Sequence, residues 1–293
     1  MKYRITHITE YHYHESVSHC YNVAHMLPRT TNRQQCQKTD VIISPSTINK
    51  AKRKDYFGNW SYLFEVQKNH KKLSIKVTSE IDVNRQNVQD NFDFGLTAEE
   101  AVKQLQRSTK VDDILAREFA LDSPFIQVSD EIKAYALPSF ESGRSLLSSV
   151  KDLTARIYKD FTYSPESTTI STPLDEVLAT RKGVCQDFAH LQIACLRAMG
   201  LPAKYVSGYI ETLPPPGQEK LVGTDASHAW LSVYSPVEGW VEFDPTNNTL
   251  ATDQHIITAW GRDFYDVTPL KGIIYGGGEE PRLHVSVDVA RVG

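Results

Sequence analysis

Three residues of this 293-residue chain have the types and surroundings to carry chemistry together: Cys185, His228 and Asp244. Cys185 follows Gly183, a turn residue, and opens a helical stretch whose first-turn amide N–H groups lack intrahelical partners. That position favours a thiolate, because the helix dipole and unpaired donors stabilise negative charge. A nearby imidazolium would pull the thiol further below its ordinary pKa of about 8.5. The same amides suit the oxyanion of a tetrahedral intermediate. Cys195 is the contrast. It lies mid-helix among Leu191, Ala194, Leu196 and Ala198 and reads as a small buried hydrophobe.

A cysteine nucleophile needs a base, supplied through the fold rather than by nearby sequence. His228, in Ser227-His-Ala-Trp230, lies on an alternating strand that turns near Pro236-Val-Glu-Gly239 and returns as Gly239-Trp-Val-Glu-Phe-Asp244. Opposed residues of that hairpin have numbers summing to roughly 472–474, with one residue of slack in register. His228 then falls opposite or just beside Asp244, within side-chain reach. A carboxylate there holds one imidazole nitrogen and leaves the other for the thiol. Taken singly, His228 would read as a satisfied strand histidine and Asp244 as a strand-end acid. His190, five residues after Cys185 and about 500° round the helix, points away and reads as structural. Asp187, in the first turn, matches the helix dipole.

The elements that must position these residues follow from pattern. The first ~90 residues are β-rich: Tyr3-Arg-Ile-Thr-His-Ile-Thr-Glu-Tyr11, Ser61-Tyr-Leu-Phe-Glu-Val66 and 73–83 alternate with period two, with a turn at Phe57-Gly-Asn59. The basic run Lys50-Ala-Lys-Arg-Lys54 is expected to be a solvated turn. Histidines 7, 12, 14 and 19 have no carboxylate or cysteine at ligand spacing and are expected on strand surfaces. From about 97 to 121 the period becomes helical behind the capping box Thr97-Ala-Glu-Glu100, and helices fit 130–136 and 145–161. Ser171 is expected to cap a helix that Arg181-Lys-Gly183 ends; the Cys185 helix runs to Met199 and stops at Gly200-Leu-Pro202. Strands fit 204–210 and 227–234, and the Pro-rich piece from Leu213 between them is a loop suited to rim a cleft. The order β then α, without βαβ alternation, predicts an α+β fold. The expected division is a β-rich domain at 1–95, a helical segment with the catalytic core at 96–275, and a closing strand at 276–293 able to pair with either sheet.

Composition excludes other classes. Net charge is −4 and the basic residues are scattered, so neither nucleic acid nor an anionic membrane is an expected partner. There is no G-x-G-x-x-G, no Walker-type loop and no Cys-x-x-Cys, so no nucleotide, metal or other cofactor is expected. A zinc site of Cys185, His190 and His228 is disfavoured because His190 turns away. Four cysteines do not make a disulfide framework, and free thiols are expected. No apolar run nears the ~18 residues of a membrane span, and the start alternates as a strand rather than a signal peptide, so a cytoplasmic protein is expected. Oligomeric state leaves no signal.

Three motifs occur in order: Arg181-Lys-Gly-Val-Cys-Gln-Asp-Phe-Ala-His-Leu191, Ser227-His-Ala-Trp230 and Glu242-Phe-Asp-Pro-Thr-Asn247. Together they resemble the transglutaminase-like superfamily, most closely its bacterial branch with an N-terminal β domain. The segments Tyr21-Asn-Val-Ala-His-Met-Leu-Pro-Arg29 and 261–272 are similar to that branch as well. The resemblance implies a papain-like core with a Cys185-His228-Asp244 triad. In animal members an upstream tryptophan helps form the oxyanion hole; here no tryptophan lies between Trp60 and Trp230. Tyr163 is the candidate donor in its place, with Gln186 and Trp230 as further oxyanion or substrate candidates. No acidic cluster resembles a calcium site. The expected activity is cysteine-dependent hydrolysis of an amide or peptide bond, as in a cysteine protease. The alternatives are acyl transfer to an amine and a non-catalytic binding module.

Overall fold

The computed structural model describes residues 1–84, 92–212 and 227–292; the loop from Leu213, expected at a cleft rim, lies outside them. The chain begins as a sheet built round one 26-residue strand, β1 (Lys2–Leu27). It is followed by β2 (Gln34–Ser44), β3 (Asn49–Lys54), β4 (Trp60–Val66) and β5 (His70–Val83). All pairings are antiparallel, in the order β2-β5-β1-β4-β3. Alternation drives one face inward: Tyr3, Ile5, Ile75, Val77 and Ile81 are buried while their neighbours are not. His7 shares that inward face, so the surface position expected for it is corrected: Tyr209 and Thr9 bond its ring nitrogens at 2.8 and 3.1 Å. His12, His14 and His19 are exposed. The basic run 50–54 is likewise corrected from turn to strand. Pairing with β4 satisfies its backbone, and its exposed cations blunt the outer edge of the sheet.

The helical part follows as α1 (Ala98–Arg107), α2 (Val111–Arg117), α3 (Asp130–Ala136) and α4 (Leu146–Asp160). The Thr97–Glu100 capping box forms in both directions, and Ser145 caps α4 through Ser148 N–H. Next come β6 (Thr162–Tyr163), α5 (Leu174–Thr180), β7 (Lys182–Gly183) and α6 (Cys185–Ala198). The expected cap Ser171 is replaced by Pro173, whose carbonyl already accepts from Glu176 and Val177 N–H. Arg181, rather than Gly183, takes the left-handed turn that ends α5, at φ 55°. Its guanidinium lies over the rings of Tyr135 and Phe161 at 4.7 and 4.8 Å, contacts that offset the backbone cost.

Helix α6 is buried on nearly every side after its first turn. Phe188, Leu191 and Cys195 join α3, α4 and α5 on one side and Ala229, Leu231 and Val233 on the other. Each large apolar side chain so placed contributes about 1.5–3 kcal/mol. The strands it covers form the second sheet: β8 (Ala203–Ile210), β9 (Ser227–Ser235), β10 (Gly239–Asp244), β11 (Thr249–Leu250) and β12 (His255–Gly261), in the order β11-β10-β9-β8-β12. After a one-turn helix, α7 (Phe264–Val267), strands β13 (Leu270–Gly276) and β14 (Arg282–Arg291) return to the first sheet. There β1 is flanked by β5 and β14 along its first half, and by β4 and β13 along its second. The closing strand therefore belongs to the N-terminal sheet. The two sheets meet in a shared core of Tyr3, Ile5, Ile81, Val83, Tyr209, Ile256, Val287 and Val289.

Candidate active site

The hairpin β9–β10 pairs residues whose numbers sum to 474 (Gly239 with Ser235, Phe243 with Leu231). That register sets Asp244 beside Trp230 and one same-face step from His228. His228 Nε2–H donates to Asp244 Oδ2 at 2.8 Å. Its Nδ1 is then the nitrogen left for Cys185, whose proximity helps to raise the pKa of the imidazole. Cys185 is the first residue of α6. The fold thus brings the three expected residues together from a helix start and two neighbouring strands.

The turn before Cys185 is built for tightness. Tyr163 pairs with Gly183 in the short parallel bridge β6–β7, and Ser164 N–H donates to Gly183 O. Asp187 Oδ2 accepts from Val184 N–H at 2.8 Å and from Thr168 at 2.7 Å. Asp187 therefore does more than match the dipole: it ties the turn to the helix. A Cβ on Gly183 would sit 2.8 Å from Asp187, so only glycine fits.

Asp244 is fully buried and heavily bonded. Besides His228, His255 Nε2–H donates to Oδ2 at 3.0 Å and Asn247 Nδ2–H at 2.7 Å. The N–H groups of Thr246 and Asn247 donate to Oδ1. Burial works against the carboxylate, but the bonds from His228 and His255 outweigh it and hold its pKa well below the usual range. Burial also works against a charged His228. The bonds to Asp244 and Cys185, with their charges, win and lift its pKa to about 10. His255 goes the other way: burial dominates and lowers it despite Asp244, helped by the charges of His228 and Arg33. One carboxylate therefore holds a charged histidine and a neutral one.

His228, Asp244 and His255 also lie at metal-ligand spacing. Hydrogen bonding argues against that use. Thr252 N–H donates to His255 Nδ1 at 3.1 Å, so the neutral ring carries its proton on Nε2, the atom a metal would need.

The other expected residues divide. Tyr163 lies at the site, where partial burial and the charge of Cys185 raise its pKa and keep its hydroxyl a donor. The Gln186 side chain instead reaches Ile170 O at 3.3 Å. Trp230 is corrected as an oxyanion or substrate group. It is wholly buried, its indole N–H donates to Glu242 at 2.6 Å, and its ring stacks beside His228. It walls the dyad. His190 accepts from Phe264 N–H and is structural; burial lowers its pKa to about 3. All four cysteines are free. His255 and Asn247 were missed as site residues. Asn247 closes the third motif and follows an Asx-type turn, a readable signal. His255 had none, because β8 and β9 lie between its strand and β10.

Residues 3–82 match the bacterial transglutaminase-like N-terminal region, and residues 133–245 match the transglutaminase-like superfamily. An uncharacterized protein of Mycobacterium tuberculosis is 43% identical over 98% of this chain and 92% of its own length. A protein-glutamine gamma-glutamyltransferase of Pseudomonas aeruginosa is 34% identical over 32% of this chain and 15% of that enzyme. Among solved structures, a protein from Cytophaga hutchinsonii described as a candidate cysteine protease superposes with a TM-score of 0.76. It is 23% identical and covers 100% of this chain and 92% of that one, a likeness of fold.

Proposed function

This chain belongs to the transglutaminase-like superfamily, and from that premise we propose that it is a cysteine-dependent hydrolase of an amide or peptide bond. One arrangement carries the reading: His228, held by Asp244 at 2.8 Å, lies beside a cysteine at the first position of a buried helix.

Each step follows from the groups present. The Cys185 sulfur attacks the acyl carbon, and the carbonyl oxygen becomes an oxyanion. First-turn amides of α6 and the hydroxyl of Tyr163 are the donors assigned to it. His228 passes its proton to the departing nitrogen, the C–N bond breaks, and a thioester remains on Cys185. The now neutral imidazole takes a proton from water as it attacks. The C–S bond breaks, and Cys185 and His228 return to their starting state. Asp244 stays ionised throughout, as its donors require.

If an amine replaces water in the second half, the same residues perform acyl transfer. The Pseudomonas aeruginosa relative, named as a transferase, favours that second reading. Incubation of glutamine-containing peptides with and without a primary amine, followed by mass spectrometry, separates the two. Hydrolysed products should predominate at modest amine concentration. Predominant amine adducts would establish transfer instead, and neither product would remove the enzyme reading.

A further inference from the structure

We infer that His255 is a positioning residue of this site, sharing the charge of Asp244 with His228, and that Arg33 of the N-terminal sheet fixes His255 for the task. The inference rests on the acyl-enzyme reading above.

His255 and His228 donate to the same oxygen, Oδ2 of Asp244, at 3.0 and 2.8 Å. Asn247 is a third donor to it. A carboxylate oxygen accepting from neutral donors is less basic toward the remaining proton. His255 therefore tempers the hold of Asp244 on His228, which must surrender its proton to the leaving group and recover one from water. The identity of the donor is settled locally, since Thr252 N–H occupies His255 Nδ1.

The backbone carrying His255 is held from across the domain junction. Arg33 donates to Thr252 O at 2.9 Å and to His255 O at 3.1 Å, and its guanidinium also meets Glu242, the acceptor of Trp230. Gln34, the next residue, bonds both the N–H and the carbonyl of Ile257. Both His255 and Arg33 are buried. The charged groups facing His255 are Asp244, His228 and Arg33, with Glu242 beyond Arg33. On this account the N-terminal β domain is part of the catalytic apparatus.

The test titrates the His228 ring by NMR in the full-length protein and in H255F, H255Q and R33Q, each checked by thermal melting. In H255F the midpoint should rise by about one pH unit, because Oδ2 of Asp244 is left to His228 and Asn247. H255Q, which keeps an N–H donor, should restore it, and R33Q should move it in the same direction as H255F. Kinetically, amide acylation should slow modestly because His228 gives up its proton less readily, and deacylation should slow about tenfold because less of the imidazole is neutral. A misaligned but otherwise silent site would lower the midpoint and slow both steps. An unchanged or lowered midpoint in folded H255F, or failure of H255Q to restore it, overturns the inference; if H255F does not fold, R33Q decides. A midpoint that rises in a protein forming no acyl-enzyme would sink the enzymatic reading and leave the positioning role standing.

Discussion

Asp244 sorts two histidines into two protonation states, and the consequences can be measured one side chain at a time. Asp244→Asn removes the charge that supports His228 but leaves its burial, so the imidazole should titrate several units below its wild-type value of about 10. The alkaline limb of kcat/KM should fall with it, and kcat should drop by about 10³–10⁴. An alkaline limb that stays put in Asp244→Asn would contradict the assignment of that limb to His228. The same shift has a stability counterpart. A histidine raised in the folded state adds stability that is complete below about 6.5 and fades as pH rises through about 10.

At the level of strands and helices, the site depends on places where backbone must come close. Gly183 is one and Gly208, paired with His228 across β8 and β9, is another. A Cβ on Gly208 would fall 2.0 Å from Ile256 O and 2.6 Å from the Trp230 ring. Gly208→Ala should therefore displace β12 and with it His255. We expect a loss of about 2 kcal/mol or more in urea unfolding and a larger proportional loss of activity. Wild-type stability in that variant would mean that β12 does not need this contact. These dependences mark what pattern can and cannot reveal. The capping box at Thr97, the helix start at Cys185 and the hairpin returning to Asp244 are local, and period, caps and register show them directly. The run 50–54 looks like a turn because its composition is polar, yet its pairing with β4 is a tertiary choice. His255 reaches Asp244 from a strand separated from β10 by two others, and Arg33 reaches the His255 backbone from the loop after β1. Neither leaves a trace in spacing.

For the molecule as a whole, the two sheets share a core, with β13 and β14 carrying the chain back to flank β1. His7 in that junction and His190 in the core are both held neutral by burial, at about 4 and about 3. The unfolded chain protonates both near 6.5, so each withdraws about 1.4 kcal/mol of stability per unit as pH falls from there toward those values. Asp244, depressed in the folded state, is lost on the same acid side. Thermal melts should thus fall steeply between pH 6.5 and 4, and His190→Gln should flatten the slope. An unchanged slope would place the acid sensitivity elsewhere. The central claim concerns Cys185, and one measurement reaches it most directly. The protein is mixed with an activated acyl ester, quenched in acid within the first turnover, and its intact mass and peptides are read. We predict one acyl group per chain, on Cys185, released by hydroxylamine, absent from Cys185→Ala and formed at least about 100-fold more slowly in His228→Asn. Acylation at any other residue, or at an unchanged rate without His228, would contradict it.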